Sequence, residues 1–386
     1  MFVALILITG IPTTGVLEAA DPLRRFGIDP VTGMSEAVVV EDTATWYTSR
    51  IVAAPDAHKL RPAGLVEQVH SVLKQVDHVL GRAAGGNSQV IRLNISLANA
   101  DAGPLVRQEL EAHFPVERRP VVTMTGSLMP EADVLITVDA VGVLKEPVAP
   151  EFRELARQGA ACPAGPKVYI SGKAASGDLA TGTRDTLRQI DDNLKFLGLQ
   201  KSDIVQLRAF IMPVAEIEAF HDEVRRYLGD VPVPAVTFTH WISSGYLVEI
   251  EAVVKDTSGR PAKDMEFITP PGETASPVFC RVVRVPAGPL IYTTGLTGDA
   301  GTDSKAQVSR IFERLRPLLE DSHSDLRHLA KATYFCADDA SSTALNTLRP
   351  TLYDPDRPPA ASKAIVPHLG LPDRSITLDL IAVPSR

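Results

Sequence analysis

The sequence has little cysteine, no excess of positive charge and none of the short motifs that hold nucleotides or metals. Its three cysteines, Cys162, Cys280 and Cys336, lie far apart. They make no C-x-x-C pair and no zinc spacing, so they read as packed thiols with one disulfide at most. Lys and Arg total 39 against 47 Asp and Glu, a net charge of −8. That balance gives no general pull on phosphate backbones or anionic membranes, and no long basic run offers a local one. Nucleic-acid and membrane partners are therefore not expected. The chain has no G-x-S-x-G, no H-E-x-x-H, no P-loop and no Rossmann fingerprint in a strand–turn–helix setting. Its nine histidines show no ligand spacing. No cofactor and no metal are expected.

What remains is globular material, 45% hydrophobic and 22% charged over 386 residues, enough for two or three domains. Phe2 to Ile11 is apolar and is followed by Leu17-Glu18-Ala19-Ala20-Asp21, with no Lys or Arg before it. Residues 1–20 read either as a signal peptide or as an N-terminal strand. The first reading places the protein outside the cytoplasm, secreted or periplasmic, and the second inside it. Pro12 and Gly15 break the stretch too early for a membrane span.

Internal repeats organise the rest. Tyr169-Ile170-Ser171-Gly172 returns 123 residues later as Tyr292-Thr293-Thr294-Gly295, and a weaker echo, Tyr47-Thr48-Ser49-Arg50, lies 122 residues earlier. A second signal recurs in the same order at Arg119-Pro120-Val121-Val122, Val233-Pro234-Ala235-Val236 and Pro358-Pro359-Ala360-Ala361. Each is followed by a strand ending in an acid, Asp139, Glu251 or Asp379. Three features repeated three times indicate three copies, at 33–143, 151–255 and 277–385. The Pro-, Ala- and Gly-rich stretches 145–166 and 255–277 read as linkers between them.

Within each copy, period-two stretches predict strands, the first at Ala37–Val40, and apolar stripes at helical spacing predict two helices. In the middle copy these are Thr183–Leu197, closed by Gly198, and Val214–Leu228, closed by Gly229. Pro317 is expected to kink or shorten the first helix of the last copy. Pro234–Val254 alternates on both sides of Ser243-Ser244-Gly245 and predicts a hairpin closing the copy, as do Arg119–Asp139 and Ser362–Val383. Glu249 and Glu251 fall on the face away from Val248 and Ile250, a face that reads first as solvated.

Pro234-Ala235 and Glu249-Ile250-Glu251-Ala252, with the Ser171-Gly172 strand end and Met34-Ser35-Glu36-Ala37-Val38, resemble the RidA/YjgF family of enamine and imine deaminases. The resemblance implies an α+β, chorismate-mutase-like fold, with a mixed sheet and two helices on one face in each copy. It further implies a trimer fused into one chain: a monomer with internal pseudo-threefold symmetry, with clefts between copies for a small-molecule metabolite. Carried over residue by residue, it makes Glu251 and Asp379 the candidate catalytic acids. Ser171, Gly172, Thr294 and Gly295 become the candidate substrate-binding residues. The family's carboxylate-binding arginine is replaced by Val122, Val236 and Ala361, and Arg50 replaces the glycine in the first copy. Arg119 and Lys363 are nearby cations, but out of register. Three functions stay open: hydrolytic deamination of an enamine or imine, non-catalytic small-molecule binding or scaffolding, and endoribonuclease activity. Without the arginine, any ligand is expected to be neutral or held by Ser171, Thr294, Glu251 and Asp379. The face assignment has its own test. Ile250→Asp buries an unpaired carboxylate, at several kcal/mol, and is expected to lower the denaturant midpoint well below that of Glu249→Ala. Equal midpoints would refute the assignment.

Overall fold

A computed structural model describes residues 21–58, 60–84, 89–144, 158–242, 245–260 and 262–385. The signal-or-strand question at residues 1–20 falls outside them. The chain begins with β1 (Leu23–Phe26), β2 (Ala37–Val40), β3 (Thr45–Thr48), β4 (Ile51–Val52), α1 (Leu65–Ala84), β5 (Val90–Leu97), α2 (Gly103–His113), β6 (Val121–Gly126) and β7 (Ile136–Val143). It continues through β8 (Gly159–Cys162), β9 (Lys167–Ala174), α3 (Leu179–Leu197), β10 (Ile204–Ile211), α4 (Ile217–Leu228), β11 (Ala235–His240) and β12 (Val248–Lys255). Last come β13 (Glu266–Ile268), β14 (Val282–Val285), β15 (Leu290–Thr293), β16 (Leu296–Thr297), α5 (Ser304–Asp321), β17 (Leu329–Cys336), α6 (Asp339–Leu352), β18 (Ala360–Ile365) and β19 (Ile376–Ala382).

Local chemistry sets the helix ends. The Asp178, Asp303 and Asp338 carboxylates accept the backbone N–H groups of Thr181, Ala306 and Ser341 at 2.7, 2.9 and 2.7 Å, satisfying donors that a helix start leaves open. Gly198 closes α3 with φ 74°, a conformation that favours glycine. Pro317 does not stop α5, which runs on to Asp321.

The strands form three mixed sheets, in the orders β6-β5-β7-β3-β8, β11-β10-β12-β9-β14-β13 and β1-β2-β15-β19-β17-β18. Two expectations change here. The closing hairpins do not form. β10 lies between β11 and β12, parallel to the first and antiparallel to the second. β5 separates β6 from β7, and β17 separates β18 from β19, in the same way. Alternation reports which faces a strand shows, but not its neighbour. A helix long enough to cross over returns the chain parallel on the far side of the strand before it.

The sheets also cross the boundaries expected from the repeat. β2, expected as the first strand of the first copy, pairs with β15 in the third sheet. β8, from the stretch read as a linker, pairs with β3 in the first sheet. β14 pairs with β9 in the second sheet and brings β13, also from a presumed linker, with it. The strand preceding each Tyr-containing strand is thus handed to a neighbouring sheet, in a cycle.

Each sheet buries one face under its own helices. In the second sheet Val248, Ile250, Ala252 and Val254 join Leu187, Ile190, Phe220 and Val224 in that core. The opposite faces are buried together. Tyr47, Val141, Tyr169, Val253, Tyr292 and Ile381, from all three sheets, share one core. The face of Glu249 and Glu251 is this one: Glu251 is buried and Glu249 partly so, not solvated as expected. At the contact of the third sheet with the first, the outer strand pair β1-β2 is joined to the rest of its sheet by hydrogen bonds and by the Arg314–Glu36 ion pair. Deleting residues 21–41 leaves β15 as an open edge beside buried apolar surface. Light scattering of this variant is expected to show association. A stable monomer would contradict the strand assignment.

Candidate functional site

The outer strand of each parallel pair leans on a strand of another sheet: β11 on β3, β18 on β9 and β6 on β15. At two of these contacts hydrogen bonds join the Tyr-strand ends to the positions after the recurring proline. Val236 N donates to Ser49 Oγ at 3.2 Å, and Arg50 N donates to the Val236 carbonyl at 3.3 Å. Val122 N lies 3.2 Å from Thr294 Oγ1, and Gly295 N donates to the Val122 carbonyl at 3.0 Å. These two junctions share that hydrogen-bond pattern, and the contents of all three differ.

Between the first and second sheets the junction is filled by Arg50. Its guanidinium lies 4.9 Å above the Phe238 ring and 3.1 Å from the Glu131 carboxylate. Between the second and third sheets the space is taken by the Glu249 carboxyl. A Cβ on Gly172 would collide with Glu249 Oε1 and Ser362 Oγ, so the missing side chain of Gly172 is what admits the acid. Burial, and then the neighbouring Glu251 carboxylate, raise the pKa of Glu249 to about 8. The third junction is open. A cavity of about 360 Å³ lies between β15, β19 and β6, lined by Val122, Met124, Thr294, Gly295, Thr297 and Thr377, with Met34, Ser35 and Glu36 beside them. Arg107 from α2, Arg314 from α5 and Arg374 from the loop before β19 also line it. Its size falls in the range of small-molecule sites.

On the buried faces of the sheets a set of charged groups meets. Arg208 lies 3.4 Å from Asp139, 3.9 Å from Glu251 and 3.6 Å from Asp379. Lys331 pairs with Glu251 at 2.7 Å, and Arg92 pairs with Asp379. Burial alone would raise the Glu251 pKa, but Lys331 and Arg208 outweigh it and hold the carboxyl below its ordinary value. The same burial lowers the pKa of Lys331 despite Glu251.

Comparison with known proteins bears on this arrangement. Residues 155–255 match the family model described as Endoribonuclease L-PSP. The chain carries a RidA/YjgF-family domain. No curated protein matches the chain. Among solved structures, a member of the YjgF/YER057c/UK114 family from Mycobacterium tuberculosis is 27% identical, covers 28% of this chain and 93% of its own, and has a TM-score of 0.23. A YjgF-family protein from Neisseria meningitidis is 18% identical, covers 32% of this chain and 97% of its own, with a TM-score of 0.25. A Rid-family protein from Yersinia pestis is 26% identical over 26% of this chain and 86% of its own, with a TM-score of 0.23.

Set against the residues that the RidA resemblance singles out, the structure brings some together and separates others. Thr294 and Gly295 line the open cavity. Ser171 is buried with no hydrogen-bond partner for its hydroxyl, and Gly172 touches the Glu249 side chain. Glu251 and Asp379, expected as catalytic acids, are 2% and 1% exposed and lie among the buried cations rather than in a cavity. The cause is register. The residues facing across from Phe210, Phe335 and Ser96 are Glu249, Thr377 and Thr137. These sit two positions earlier than Glu251, Asp379 and Asp139, at the junctions. Of these three aligned positions the one in the second sheet carries an acid, and the sequence reading passed over it. Arg119 and Lys363 are held by their own copies, Arg119 by the carbonyls of Phe114, Glu111 and Thr32, and Lys363 by Ser342 and Asn346. The cavity arginines carried no sequence signal, because α2, α5 and the β19 loop are far apart along the chain.

Glu249 generates a pH prediction. Its folded pKa lies above its ordinary value of 4.5, at about 8, so the fold binds this proton more tightly than the unfolded chain does. The stabilisation is complete below about pH 4.5 and is lost as pH rises through about 8. Glu249→Gln keeps the shape and removes the titration. It is expected to melt several degrees higher than the parent at pH 8.5, with the gap closing towards pH 5. A gap that does not change with pH would refute the buried neutral acid.

Proposed function

We propose that this chain is three RidA-like copies fused into a monomeric pseudo-trimer, and that it works at one junction, binding a small polar metabolite between β15, β19 and β6. The observation that carries this reading is the cavity bearing Thr294 and Gly295, while Arg50 and Glu249 occupy the corresponding places at the other two junctions. The copies are taken as 33–143, 151–255 and 277–385, each exchanging its leading strand with a neighbour. The recurrence of the junction hydrogen bonds at Val122 and Val236 supports the internal symmetry.

Hydrolytic deamination of an enamine or imine fits this cavity poorly. A general base needs a proton-accepting group within hydrogen-bond reach of the attacking water. At the cavity the residue aligned with Glu249 is Thr377, a hydroxyl with no useful basicity near neutrality. Val122 stands at the arginine position and cannot pair a carboxylate. Loss of one charge-assisted pair removes roughly 1.5–3 kcal/mol, or about one to two orders of magnitude in rate. An endoribonuclease reading is opposed by the net charge of −8, since RNA binding draws on phosphate neutralisation. Val122 and Thr377 favour binding, and the carboxylates that do line the cavity, Asp29 and Glu36, are engaged by backbone N–H groups and by Arg314.

Two measurements test this. A metabolite set screened by thermal shift is expected to contain ligands that raise the melting temperature by linkage. They should fail to do so in Leu371→Trp, which fills the cavity mouth from the loop before β19. Ammonia release from a freshly generated imino acid is expected to be at least about tenfold slower than for an arginine-bearing RidA protein. Rates within a few fold of that control would overturn the non-catalytic reading.

A further inference from the structure

The cavity walls carry more positive charge than their own acids neutralise. Arg314 is spent: it pairs with Glu36 and donates to the Thr297 carbonyl at 2.9 Å. The Asp29 carboxylate accepts the backbone N–H groups of Val31 and Thr32 on one oxygen, at 2.8 Å each, and keeps its charge. Arg374 is different. Its Nε and Nη1 atoms are shut off from solvent and have no hydrogen-bond partner among the described residues. The acids nearest to it are Asp299, which pairs with Arg310 at 3.4 Å and is largely exposed, and the adjacent Asp373. Arg107, also on the cavity wall, makes no hydrogen bond or ion pair among the described residues, and its charge reaches both Arg374 and Asp29. Two guanidinium groups thus line one small cavity, and neither makes an ion pair among the described residues. A buried donor left unmade costs about 1–3 kcal/mol, and more when it is charged. An anion in the cavity can pair with Arg107 and with Nη2 of Arg374, the donors that stay accessible.

We propose that the cavity selects a dianionic small molecule, a dicarboxylate or a phosphate monoester, with one anionic group on Arg374 and the other on Arg107. The inference rests on the reading that this cavity is the working site. It adds the ligand class, and it reverses the expectation of a neutral ligand. The planar fork of a guanidinium pairs two oxygens of a carboxylate or phosphate at once. Met34, Val122 and Met124 offer an apolar middle between the two charged ends. A monoanion leaves one guanidinium unpaired, and a neutral ligand leaves both.

The test is calorimetric titration of the full chain with succinate, glycerol 3-phosphate, propionate and propionamide. At least one dianion is expected to bind tenfold or more tightly than propionate, with affinity falling as salt rises. The comparison between succinate and glycerol 3-phosphate identifies the anionic group. Arg374→Gln and Arg107→Gln are each expected to weaken the dianion tenfold or more while leaving propionamide unaffected. Arg107 lies on a helix surface, so its variant serves even if Arg374→Gln folds poorly. Propionate or propionamide binding as well as the dianions, and blocked by Leu371→Trp, would overturn the dianion proposal while leaving the working-site reading intact. No binding by any of the four, or dianion binding that Leu371→Trp does not touch, would overturn the proposal and count against the working-site reading.

Discussion

Arg208 reaches a carboxylate on each of the three sheets, Asp139 on the first, Glu251 on its own and Asp379 on the third. With Arg92 and Lys331 it makes three cations facing three acids, almost wholly removed from water. Such a group is not a simple source of stability, because desolvating six charges offsets most of their attraction. Its strength lies in intolerance. Removing one partner leaves a buried charge uncompensated, at roughly 3–5 kcal/mol, so the sheets meet in the one arrangement that pairs every ion. An identical-subunit trimer would place three copies of each side chain around the centre. Here the positions facing the acids carry Asn94, Arg208 and Thr333, so a single guanidinium serves where three would repel one another.

The exchanged strands act with this centre. Each sheet is completed by a strand whose sequence neighbours lie in another sheet. Pulling two sheets apart would therefore break a strand ladder as well as an apolar contact. Fixed in this way, the junctions have diverged by local substitution. An arginine stacked on Phe238 fills one, and a neutral glutamic acid over Gly172 fills another. The third stays open because Gly295 and Thr377 are small there, and because the arginines around it project from helices and loops rather than from the sheet. A carboxyl buried against Glu251 can keep its proton, whereas a guanidinium cannot shed its charge. The acid can therefore close its junction as a neutral group, whereas Arg50 closes the other paired with Glu131.

Much of the local structure was legible in the sequence. β2 occupies Ala37–Val40, the residues read as the first strand. Gly198 and Gly229 end α3 and α4 where a C-cap was expected. Thr294 and Gly295, taken from a repeated strand end, lie at the cavity. These signals depend on neighbours a few residues apart, through side-chain periodicity and backbone conformation. Partner choice does not. The hairpins expected over 119–139, 234–254 and 362–383 are each opened by an intervening strand, and β2 leaves its own copy for the third sheet. Glu251 and Glu249 share a face in any register, and which of them meets ions and which a junction depends on what the other two sheets bring there. The sequence by itself marked most of the elements, the recurring strand-end signals and the small residues that carry them. Only the tertiary structure decided which junction is open and that Arg107 and Arg374 face it, because such charges act through a few ångströms of space while their residues stand hundreds of positions apart.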